Sequence, residues 1–342
     1  MSTFPVNSST IKMMKAVRIE TTGGPEVLQL VDAPRPIAGP GEVLVRNSAI
    51  GVGMPDMLVR RGVYAWMPKL PAVIGIESAG VIESIGDGVT EFQTGQKVYI
   101  NARDLPERSG GYAAYRVAPA NAVHALSSHV DLQQAAALGN YQVAESLLRM
   151  CSAFPAPRSV AIFGAAGGVG SAAIQLAKAR GWLVIGLAGS IDKCAFALNQ
   201  GAHYSVNYRE HDVVDAICKL SSGGVDLILD IASGDSVPDL FAALNPFGVV
   251  VSYGFLEGEP TARTVPSMRK RFGHSPGWRL FSMHSFDGLK DLRRDISKTV
   301  IKSLETGSIA PHIYKSFPLG EVQAAHRLFE QKVQMGKLIL IP

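Results

Sequence analysis

Hydrophobic and polar positions follow two different patterns along the chain, and the change falls near residue 130. In the first part, short β-prone runs are separated by Gly/Pro turns. These runs are Lys15–Glu20, Glu42–Ile50, Ser78–Ser84, Lys97–Ile100 and Tyr115–Val117. Short strands with such regular turn signals predict a small barrel-like or irregular β domain.

From residue 132 onward, the apolar spacing predicts alternating helices and strands. The segment LQQAAALGNYQVAESLLRM opens this part with helical spacing. The predicted strands are Ser159–Phe163, Leu183–Leu187, Tyr204–Val206, Val225–Asp230 and Val249–Tyr253. Four helices lie between these strands. The first ends near Ala179, and the other three span Asp192–Gln200, Val213–Leu220 and Asp239–Leu244. Strands that are apolar almost throughout predict a parallel sheet covered by helices on both faces.

The same pattern predicts the domain boundaries. We expect a loop after Tyr253, an edge strand in RLFSMHSF and a helix near Leu289–Glu305. A helix over Leu319–Gln331 and the strand LILI follow, and we expect this tail to return to the first domain. The predicted parts are a flexible lead (1–12), a discontinuous first domain (13–135 and 307–342) and a second domain (136–306).

Composition narrows the class of protein. The chain has 342 residues, of which 47% are hydrophobic and 18% charged, as in a folded protein of about two domains. The net charge of +4 is spread along the chain, which argues against nucleic-acid binding. The three cysteines form no CxxC pair, so a reducing cytoplasmic setting is the simplest interpretation. No apolar run is long enough to predict a membrane span.

The segment VAIFGAAGGVGSAAIQLAKARG, residues 160–181, predicts a dinucleotide site. It places a buried strand, a Gly-rich turn and a helix in the required order. Glycines let the backbone approach the pyrophosphate and let the helix pack closely on the sheet, and the helix N-terminus presents N–H groups to the anion. Ala165 stands where the usual GxGxxG pattern has its first glycine. The predicted phosphate-binding residues are Ala165, Ala166, Gly167, Gly168, Val169 and Gly170.

The end of the second strand predicts NADPH rather than NADH. NAD sites usually carry an acid there, which would repel a 2′-phosphate, but this chain has Gly189 and Ser190. Ser190 and Lys193 are groups that bind such a phosphate, and Tyr208 is predicted to pack on the adenine side. Two alternatives stay open, because Asp192 is an acid at the helix start and Lys193 is also consistent with a solvated helix lysine. The predicted cofactor set also includes Tyr253, Gly254 and Phe255.

Several motifs together resemble one protein family. AIFGAAGGVGSAAIQLAKARG, LAGSIDKC, SVNYRE, GGYAAYRVAPA and the ending GKLILIP are similar to the quinone oxidoreductase and ζ-crystallin branch of the medium-chain dehydrogenase/reductase superfamily. The resemblance covers the chain from about Lys15. It implies an α/β protein with a Rossmann doubly wound parallel sheet plus a GroES-like β-barrel domain. It also implies a homodimer or tetramer that reduces quinones, enones or enoyl thioesters, and we expect a homodimer.

The resemblance also bears on metal binding and catalysis. Zinc-dependent relatives have a Cys and a His where this chain has Gly53 and Ile76, and they carry a four-cysteine lobe that is missing here, so we predict no metal. The segment IGVGMPDMLVRRGVYAWMP is similar to the family stretch that borders the nicotinamide. Its predicted catalytic residues are Tyr64, Asp56 and Arg60.

Each of these three residues has a second interpretation. A tyrosine at the spacing of Tyr64 is the proposed proton donor of related enoyl-thioester reductases, since a phenol can stabilise an enolate and supply a proton. Tyr64 is alternatively an amphipathic side chain that packs at the cleft rim. Asp56 either orients a hydroxyl or caps a short helix. Of the adjacent Arg60 and Arg61, one is a candidate cleft charge and the other a solvated surface residue.

The chain also departs from the family pattern. Gly53 replaces an Asn, Val143 replaces a Thr close to the nicotinamide, and Glu145 replaces an aromatic residue. Glu145 is either a pocket acid, which would need a partner such as Arg60, or an exposed helix residue. We therefore expect a substrate preference different from that of standard quinone reductases.

Three functions are compatible with these observations. The leading one is an NADPH-dependent reductase of a quinone, enone or other α,β-unsaturated carbonyl compound. The second is a non-catalytic NADPH-binding protein, because the Asn and Thr equivalents are lost. The third is a trans-acting enoyl-thioester reductase, whose basic segment Arg269–Arg279 would dock an acidic carrier protein. That segment is otherwise a solvated face.

Overall fold

A computed structural model describes residues 12–150 and 156–342 of the chain, so the predicted flexible lead lies, except for Lys12, outside the described residues. The strands are β1 (Met13–Ile19), β2 (Gln29–Pro34), β3 (Glu42–Val52), β4 (Ala72–Val73), β5 (Glu77–Ile85), β6 (Lys97–Asn101), β7 (Tyr115–Pro119), β8 (Val123–Ala125), β9 (Ser159–Phe163), β10 (Leu183–Ala188), β11 (Tyr204–Asn207), β12 (Val225–Asp230), β13 (Leu244–Ser252), β14 (Gly277–Leu280), β15 (Ile313–Pro318) and β16 (Lys337–Ile341). The α-helices are α1 (Met54–Arg61), α2 (Leu132–Ala135), α3 (Leu138–Met150), α4 (Gly168–Ala179), α5 (Ile191–Asn199), α6 (Val213–Ser221), α7 (Val237–Leu240), α8 (Thr264–Lys270), α9 (Lys290–Glu305) and α10 (Val322–Glu330).

The chain divides into two compact units. Within the described residues, unit 1 comprises residues 12–136, 315–332 and 338–342, and unit 2 comprises residues 137–150, 156–314 and 333–337. The sequence placed the return to the first domain at residue 307, and the structure places it at residue 315. The short segment 333–337, which ends at the first residue of β16, belongs to unit 2, and within it the N–H of Gly336 donates to the carbonyl of Ala166.

Unit 1 contains the β domain that the short runs before residue 130 predict. The pairs that β1 forms with β2 and β4 are antiparallel, as are the pairs that β3 forms with β5, β7 and β16. The larger sheet of unit 1 has the order β15-β16-β3-β5-β6-β8, with β7 paired to β3, and a smaller sheet has the order β2-β1-β4. The strand β3 is the centre of the larger sheet, since it pairs with β5, β7 and β16. Helix α1 follows directly from the end of β3 and packs into an apolar core through Met57 and Val59.

Unit 2 contains a parallel sheet of the order β11-β10-β9-β12-β13-β14 among the described residues. All five strand pairs in this sheet are parallel. Every residue of β9 is buried, which explains why this strand reads as an unbroken apolar run. The order of the strands reverses beside β9, from which β10 and β11 extend one way and β12 to β14 the other. This arrangement is the doubly wound fold, and such sheets bind ligands at the carboxyl ends of the strands where the order reverses.

The structure differs from the prediction at several elements. The predicted edge strand RLFSMHSF is a strand only in part, because β14 covers Gly277–Leu280 and a 3₁₀ helix covers Met283–Phe286. The predicted Ala/Leu-rich helix is two helices, α2 and α3, and the boundary between the units falls between them at residues 136 and 137. Helix α7 ends at Leu240, earlier than predicted, and β13 begins at Leu244 with a register shift against β12. The stretch after Tyr253, predicted as a loop, contains α8.

Among the described residues, no helix is both long enough and apolar enough to cross a membrane.

Candidate functional site

The Gly-rich turn between β9 and α4 has the geometry of a phosphate-binding turn. Gly164 has a φ of +65°, a conformation that favours glycine, and it accepts a hydrogen bond from the N–H of Gly167 at 2.8 Å. A Cβ on Gly170 would collide with the carbonyl oxygen of Gly164, so the helix can approach the turn only with glycine at that position. Gly167, which precedes α4, provides no side-chain cap. The first N–H groups of the helix are therefore available to an anion.

Two residues at this turn, Gly164 and Asn140, are not among those predicted from the sequence. Gly164 makes the tight bend one residue before Ala165, the position where the usual pattern has its first glycine. The run of glycine and alanine after β9 is the signal in the sequence that points to it. Asn140 of α3 lies over Gly168, because a Cβ built on Gly168 would overlap the Asn140 carboxamide. No local motif points to Asn140, since α3 precedes β9 in the chain and meets α4 only in the folded unit. Ala165 and Ala166 are buried beneath the turn.

The carboxyl ends of β10 and β11 bring together the residues predicted to select the cofactor. Ser190 caps α5, and its Oγ accepts from the N–H of Lys193 at 3.4 Å. Tyr208 lies beside them, because its hydroxyl would be 2.6 Å from a Cβ on Gly189. The Tyr208 ring is 6.3 Å from that of Phe163 at the end of β9. A larger side chain at position 189 would displace Tyr208. Packing against Tyr208 therefore explains the glycine at this position, in addition to the need to avoid an acid there.

The ends of β12 and β13 form the other side of the same sheet edge. Ile231, directly after β12, packs against Gly164, since a Cβ built on Gly164 would lie 3.0 Å from the Cγ2 of Ile231. A Cβ on Gly254 would meet the Ile231 carbonyl at 2.7 Å. Tyr253 donates its N–H to the Asp230 carbonyl at 2.9 Å, and Phe255 is exposed. The predicted cofactor residues from three segments therefore share one edge of the sheet in unit 2.

A strained turn follows β12 at this edge. Ser233 has a φ of +61° and a ψ of −147°, a combination that is populated almost only by glycine. The turn is held by the buried Asp230 carboxylate, which accepts from the N–H of Ala232 at 2.9 Å and from the N–H of Ser233 at 3.0 Å. Burial raises the pKa of Asp230, and the hydrogen bonds that the carboxylate accepts oppose this shift.

In unit 1, Asp56 acts as a helix cap. Its carboxylate accepts from the N–H of Gly53 at 2.8 Å and from the N–H of Ile76 at 3.0 Å. These bonds join the start of α1 to the segment that precedes β5. Asp56 also lies beside the Tyr112 hydroxyl, and its charge adds to burial in raising the pKa of that phenol. Of the two interpretations of Asp56, the capping one describes the geometry.

Arg60 is not a free cleft charge in this structure. It is 1% exposed and forms an ion pair with Glu330 of α10, while the neighbouring Arg61 is 51% exposed and shares the same carboxylate at 2.6 Å. The Nε of Arg60 donates to the Gly23 carbonyl at 3.2 Å. Arg60 therefore fastens α1 to α10 and to the chain before β2.

His326 connects Arg60 to Tyr112 through a buried hydrogen-bond chain. Its Nδ1 lies 3.5 Å from the Arg60 guanidinium, and its Nε2 lies 3.0 Å from the Tyr112 hydroxyl. Because the guanidinium can only donate, Nδ1 must be the acceptor and Nε2 carries the proton. Burial, together with the Arg60 charge, lowers the pKa of His326 to about 3. The imidazole is therefore neutral at physiological pH.

Tyr64 packs in the apolar core of unit 1. It is 8% exposed and belongs to the cluster that contains Met57, Val59 and Tyr112. Its ring lies 5.7 Å from that of Trp66. The packing interpretation thus accounts for the ring of Tyr64, and a catalytic role would depend on its hydroxyl.

Glu145 belongs to neither of the environments considered for it. It is 1% exposed, and its two oxygens accept from Arg149 at 2.8 Å and from Arg180 at 2.6 Å. Arg149 also pairs with Asp295 of α9 at 2.5 Å. Glu145 is thus a buried, paired carboxylate that joins α3, α4 and α9 within unit 2, and Arg60 is not its partner.

The positions that hold zinc in zinc-dependent relatives have other roles here. Gly53 and Ile76 offer their N–H groups to Asp56. Glu77 is buried, and its Oε2 accepts from the Tyr99 hydroxyl at 3.2 Å. Within residues 12–150 and 156–342, no group of three or more His, Cys, Asp or Glu side chains is placed to hold a metal ion.

Comparison with known proteins supports the same domains. Residues 39–128 match the family model of the alcohol dehydrogenase GroES-like domain, and residues 168–274 match that of the zinc-binding dehydrogenases. Quinone oxidoreductase from Rattus norvegicus is 32% identical over 335 residues, which cover 96% of this chain and 98% of that protein. The 2-haloacrylate reductase of a Burkholderia species is 28% identical over 337 residues, which cover 96% of this chain and 99% of that protein.

Solved structures are similar over the same length. Quinone oxidoreductase from Escherichia coli, determined in complex with NADPH, superposes with a TM-score of 0.81 at 27% identity, covering 96% of this chain and all of that one. These similarities confirm the resemblance found in the motifs. The chain belongs to the quinone oxidoreductase and ζ-crystallin branch of the medium-chain dehydrogenase/reductase superfamily.

Proposed function

We propose that the protein is an NADPH-dependent oxidoreductase that reduces quinones or other α,β-unsaturated carbonyl compounds. The observation that carries the proposal is the glycine turn before α4, whose bend at Gly164 and uncapped helix start suit a pyrophosphate. The full-length similarity to quinone oxidoreductase and to 2-haloacrylate reductase supports the substrate class. When bound, NADPH would supply the hydride.

The cofactor is selected at the ends of β10 and β11. Ser190 and Lys193 lie at the start of α5, where backbone N–H groups and a lysine favour a 2′-phosphate. Tyr208 covers the neighbouring Gly189 and offers its ring to the adenine. Tyr253, Gly254 and Phe255 lie at the end of β13 on the other side of the turn and complete the proposed cofactor site.

Tyr64 is the proposed proton donor for enone reduction. Addition of a hydride to the β-carbon of an enone leaves negative charge on the carbonyl oxygen, and a phenol can stabilise this charge and return a proton. Asp56 and Arg60 contribute to the same site by holding α1, which precedes Tyr64 by a short loop. They are positioning residues in this proposal, because their charged groups are bonded to the backbone and to Glu330.

The function is tested by following NADPH absorbance with a panel of acceptors. The panel comprises benzoquinones, simple enones, a 2-haloacrylate and enoyl-CoA thioesters of rising chain length. We expect oxidation with quinones, enones or the haloacrylate. Oxidation with enoyl-CoA alone would favour the enoyl-thioester reductase, and NADPH binding without turnover of any acceptor would favour a non-catalytic binding protein.

We also propose that the protein is a homodimer that pairs through β14. This strand is at the edge of the unit 2 sheet, with β13 as its one partner strand in the described part of the chain, and Leu280 on it is exposed. An open strand edge is a template for pairing with a second copy. Sedimentation should give twice the chain mass, and Leu280→Asp should shift the protein to a monomer. A wild-type monomer at micromolar concentration would contradict the proposal.

A further inference from the structure

A carboxamide from α3 occupies the space above the first residue of α4, within unit 2. A Cβ built on Gly168 would overlap the Asn140 Nδ2 and would lie 2.9 Å from the Asn140 Cγ. Any side chain at position 168 would therefore push Asn140 away from the Gly-rich turn. The glycine at this position makes room for Asn140 as well as for a close approach of the backbone to a ligand.

The packing of α3 on α4 sets the place of Asn140. The next residue, Tyr141, is 3% exposed, and its hydroxyl donates to the Gln175 Oε1 of α4 at 2.9 Å. Ala144 and Leu147, on the following turns of α3, are fully buried. The backbone that bears Asn140 is thus fixed against α4, and this holds the carboxamide at the turn.

The polar atoms of Asn140 are available to a ligand. Asn140 is partly exposed, and among the described residues its carboxamide has no hydrogen-bond partner. The nitrogen and the oxygen of this group are not closed off from solvent. Gln142 differs, because it is 6% exposed and its Nε2 donates to the Ser297 Oγ of α9 at 2.9 Å. Of these two carboxamides of α3, the one at the turn is open to a ligand.

The carboxamide also lies on the side of the turn where an anion would bind. Gly168 follows Gly167, the N-cap of α4, so it is the first helical residue. In a helix the Cα–Cβ bond tilts toward the N-terminus, so the space that Asn140 takes at Gly168 lies beside the first N–H groups. An asparagine Nδ2 carries two hydrogen-bond donors. The turn therefore presents side-chain and backbone donors together.

We propose that Asn140 is a further cofactor-binding residue, whose Nδ2 donates a hydrogen bond to the pyrophosphate of NADPH. The inference rests on the proposed function, because it needs a dinucleotide at the Gly-rich turn. Hydrogen bonds to a charged acceptor are stronger than those between neutral groups, and the carboxamide provides one without adding a charge of its own. Since no partner within the described residues is lost, replacing Asn140 should change cofactor affinity and leave the stability of the fold unchanged.

The test measures the affinity of three ligands by isothermal titration calorimetry. They are NADPH, 2′-phospho-ADP-ribose, which keeps the pyrophosphate but lacks the nicotinamide, and 2′-AMP, which lacks both groups. We expect Asn140→Ala to weaken binding of the first two about tenfold and to leave 2′-AMP binding unchanged. Asn140→Asp should weaken binding of the first two further, because a carboxylate repels the pyrophosphate.

Gln142→Ala is the matched control. It also removes a carboxamide from α3, but one that is bonded to Ser297 inside unit 2. It should therefore lower the midpoint of urea unfolding and leave the affinity for all three ligands unchanged. Asn140→Ala should show the opposite combination.

Three results would overturn the proposal while the proposed function stands, because the wild type binds NADPH in each. The first is an NADPH affinity that is unchanged in Asn140→Ala. The second is a loss for NADPH but not for 2′-phospho-ADP-ribose, which would move the contact to the nicotinamide side. The third is an equal loss for 2′-AMP, which would make the role of Asn140 structural. A wild type that binds no NADPH would contradict the proposed function and this inference with it.

Discussion

We expect mild acid to destabilise unit 1 through His326. This imidazole is fully buried between Arg60 and Tyr112, and burial together with the Arg60 charge lowers its pKa to about 3. In the unfolded chain the pKa returns to about 6.5. Between these two values the unfolded state binds a proton that the folded state does not, so the free energy of unfolding falls as the pH falls.

The magnitude follows from the difference between the two pKa values. Each pH unit below the unfolded pKa costs about 1.4 kcal/mol, so a change from pH 7 to pH 5 should remove about 2 kcal/mol of stability. The loss continues until the pH approaches 3, where the folded state also takes up the proton. Above pH 6.5 both states hold a neutral imidazole, and this contribution no longer changes with pH.

The assay is urea unfolding of the wild type and of His326→Gln at pH 7 and pH 5. Glutamine can accept from Arg60 and donate to Tyr112 but does not titrate, so the difference between the two proteins removes the effect of all other titrating groups. Trp66 is the tryptophan of unit 1, and replacing Trp182 and Trp278 with Phe makes fluorescence report on that unit. If the wild type and His326→Gln lose the same stability between pH 7 and pH 5, the buried neutral imidazole is not the cause.

Three further predictions concern the cofactor site, the proton donor and the strained turn. Ser190→Asp should weaken NADPH binding about tenfold or more, because the new carboxylate repels a 2′-phosphate, and should leave NADH binding similar or stronger. Calorimetry with both dinucleotides checks this. An equal loss of affinity for both would argue against selection at Ser190. Tyr64→Phe should lower kcat for an enone about tenfold or more and leave NADPH affinity nearly unchanged. Quinone reduction should also stay nearly unchanged, since quinones can take protons from solvent. An unchanged rate of enone reduction would exclude the proton-donor role. Ser233→Gly should raise the free energy of unfolding by about 1 kcal/mol, because glycine adopts the φ of +61° without strain and the change removes a buried hydroxyl that has no partner within the described residues. Urea unfolding midpoints measure this change in stability. A lower midpoint would mean that the turn is not strained.

The parallel sheet of unit 2 could be predicted because its strands are short apolar runs with polar ends. The predicted bounds of Ser159–Phe163 and Val225–Asp230 are those of β9 and β12. The prediction was poorer where tertiary contacts override the local pattern. The start of β13 includes Asn245 and Pro246, which are typical of a turn, and Phe247, whose φ is +65°, and it pairs with β12 only through a shifted register.

The partners of buried charges could not be predicted, because they are far apart in the chain. Arg60 and Glu330 are separated by 270 residues, and Glu145 and Arg180 by 35. A single sequence shows that a charged residue lies on an apolar helix face, which makes a partner necessary, but it does not show which of the many opposite charges is chosen. For this reason the sequence predicts a pocket or a solvent-exposed position for Glu145, whereas in the structure its ion pairs join three helices of unit 2.

The three residues that the sequence groups as catalytic differ in the role of their polar groups in unit 1. The backbone N–H groups of Gly53 and Ile76 engage the Asp56 carboxylate, and Glu330 neutralises Arg60, so the charges of α1 stabilise the position of the helix. Substitution of either residue should therefore reduce stability and turnover together, whereas loss of a hydroxyl at Tyr64 should change turnover alone. In the proposed function, only the tyrosine of this group of an acid, an arginine and a tyrosine takes part in the chemistry, and the two charged residues hold α1 in place.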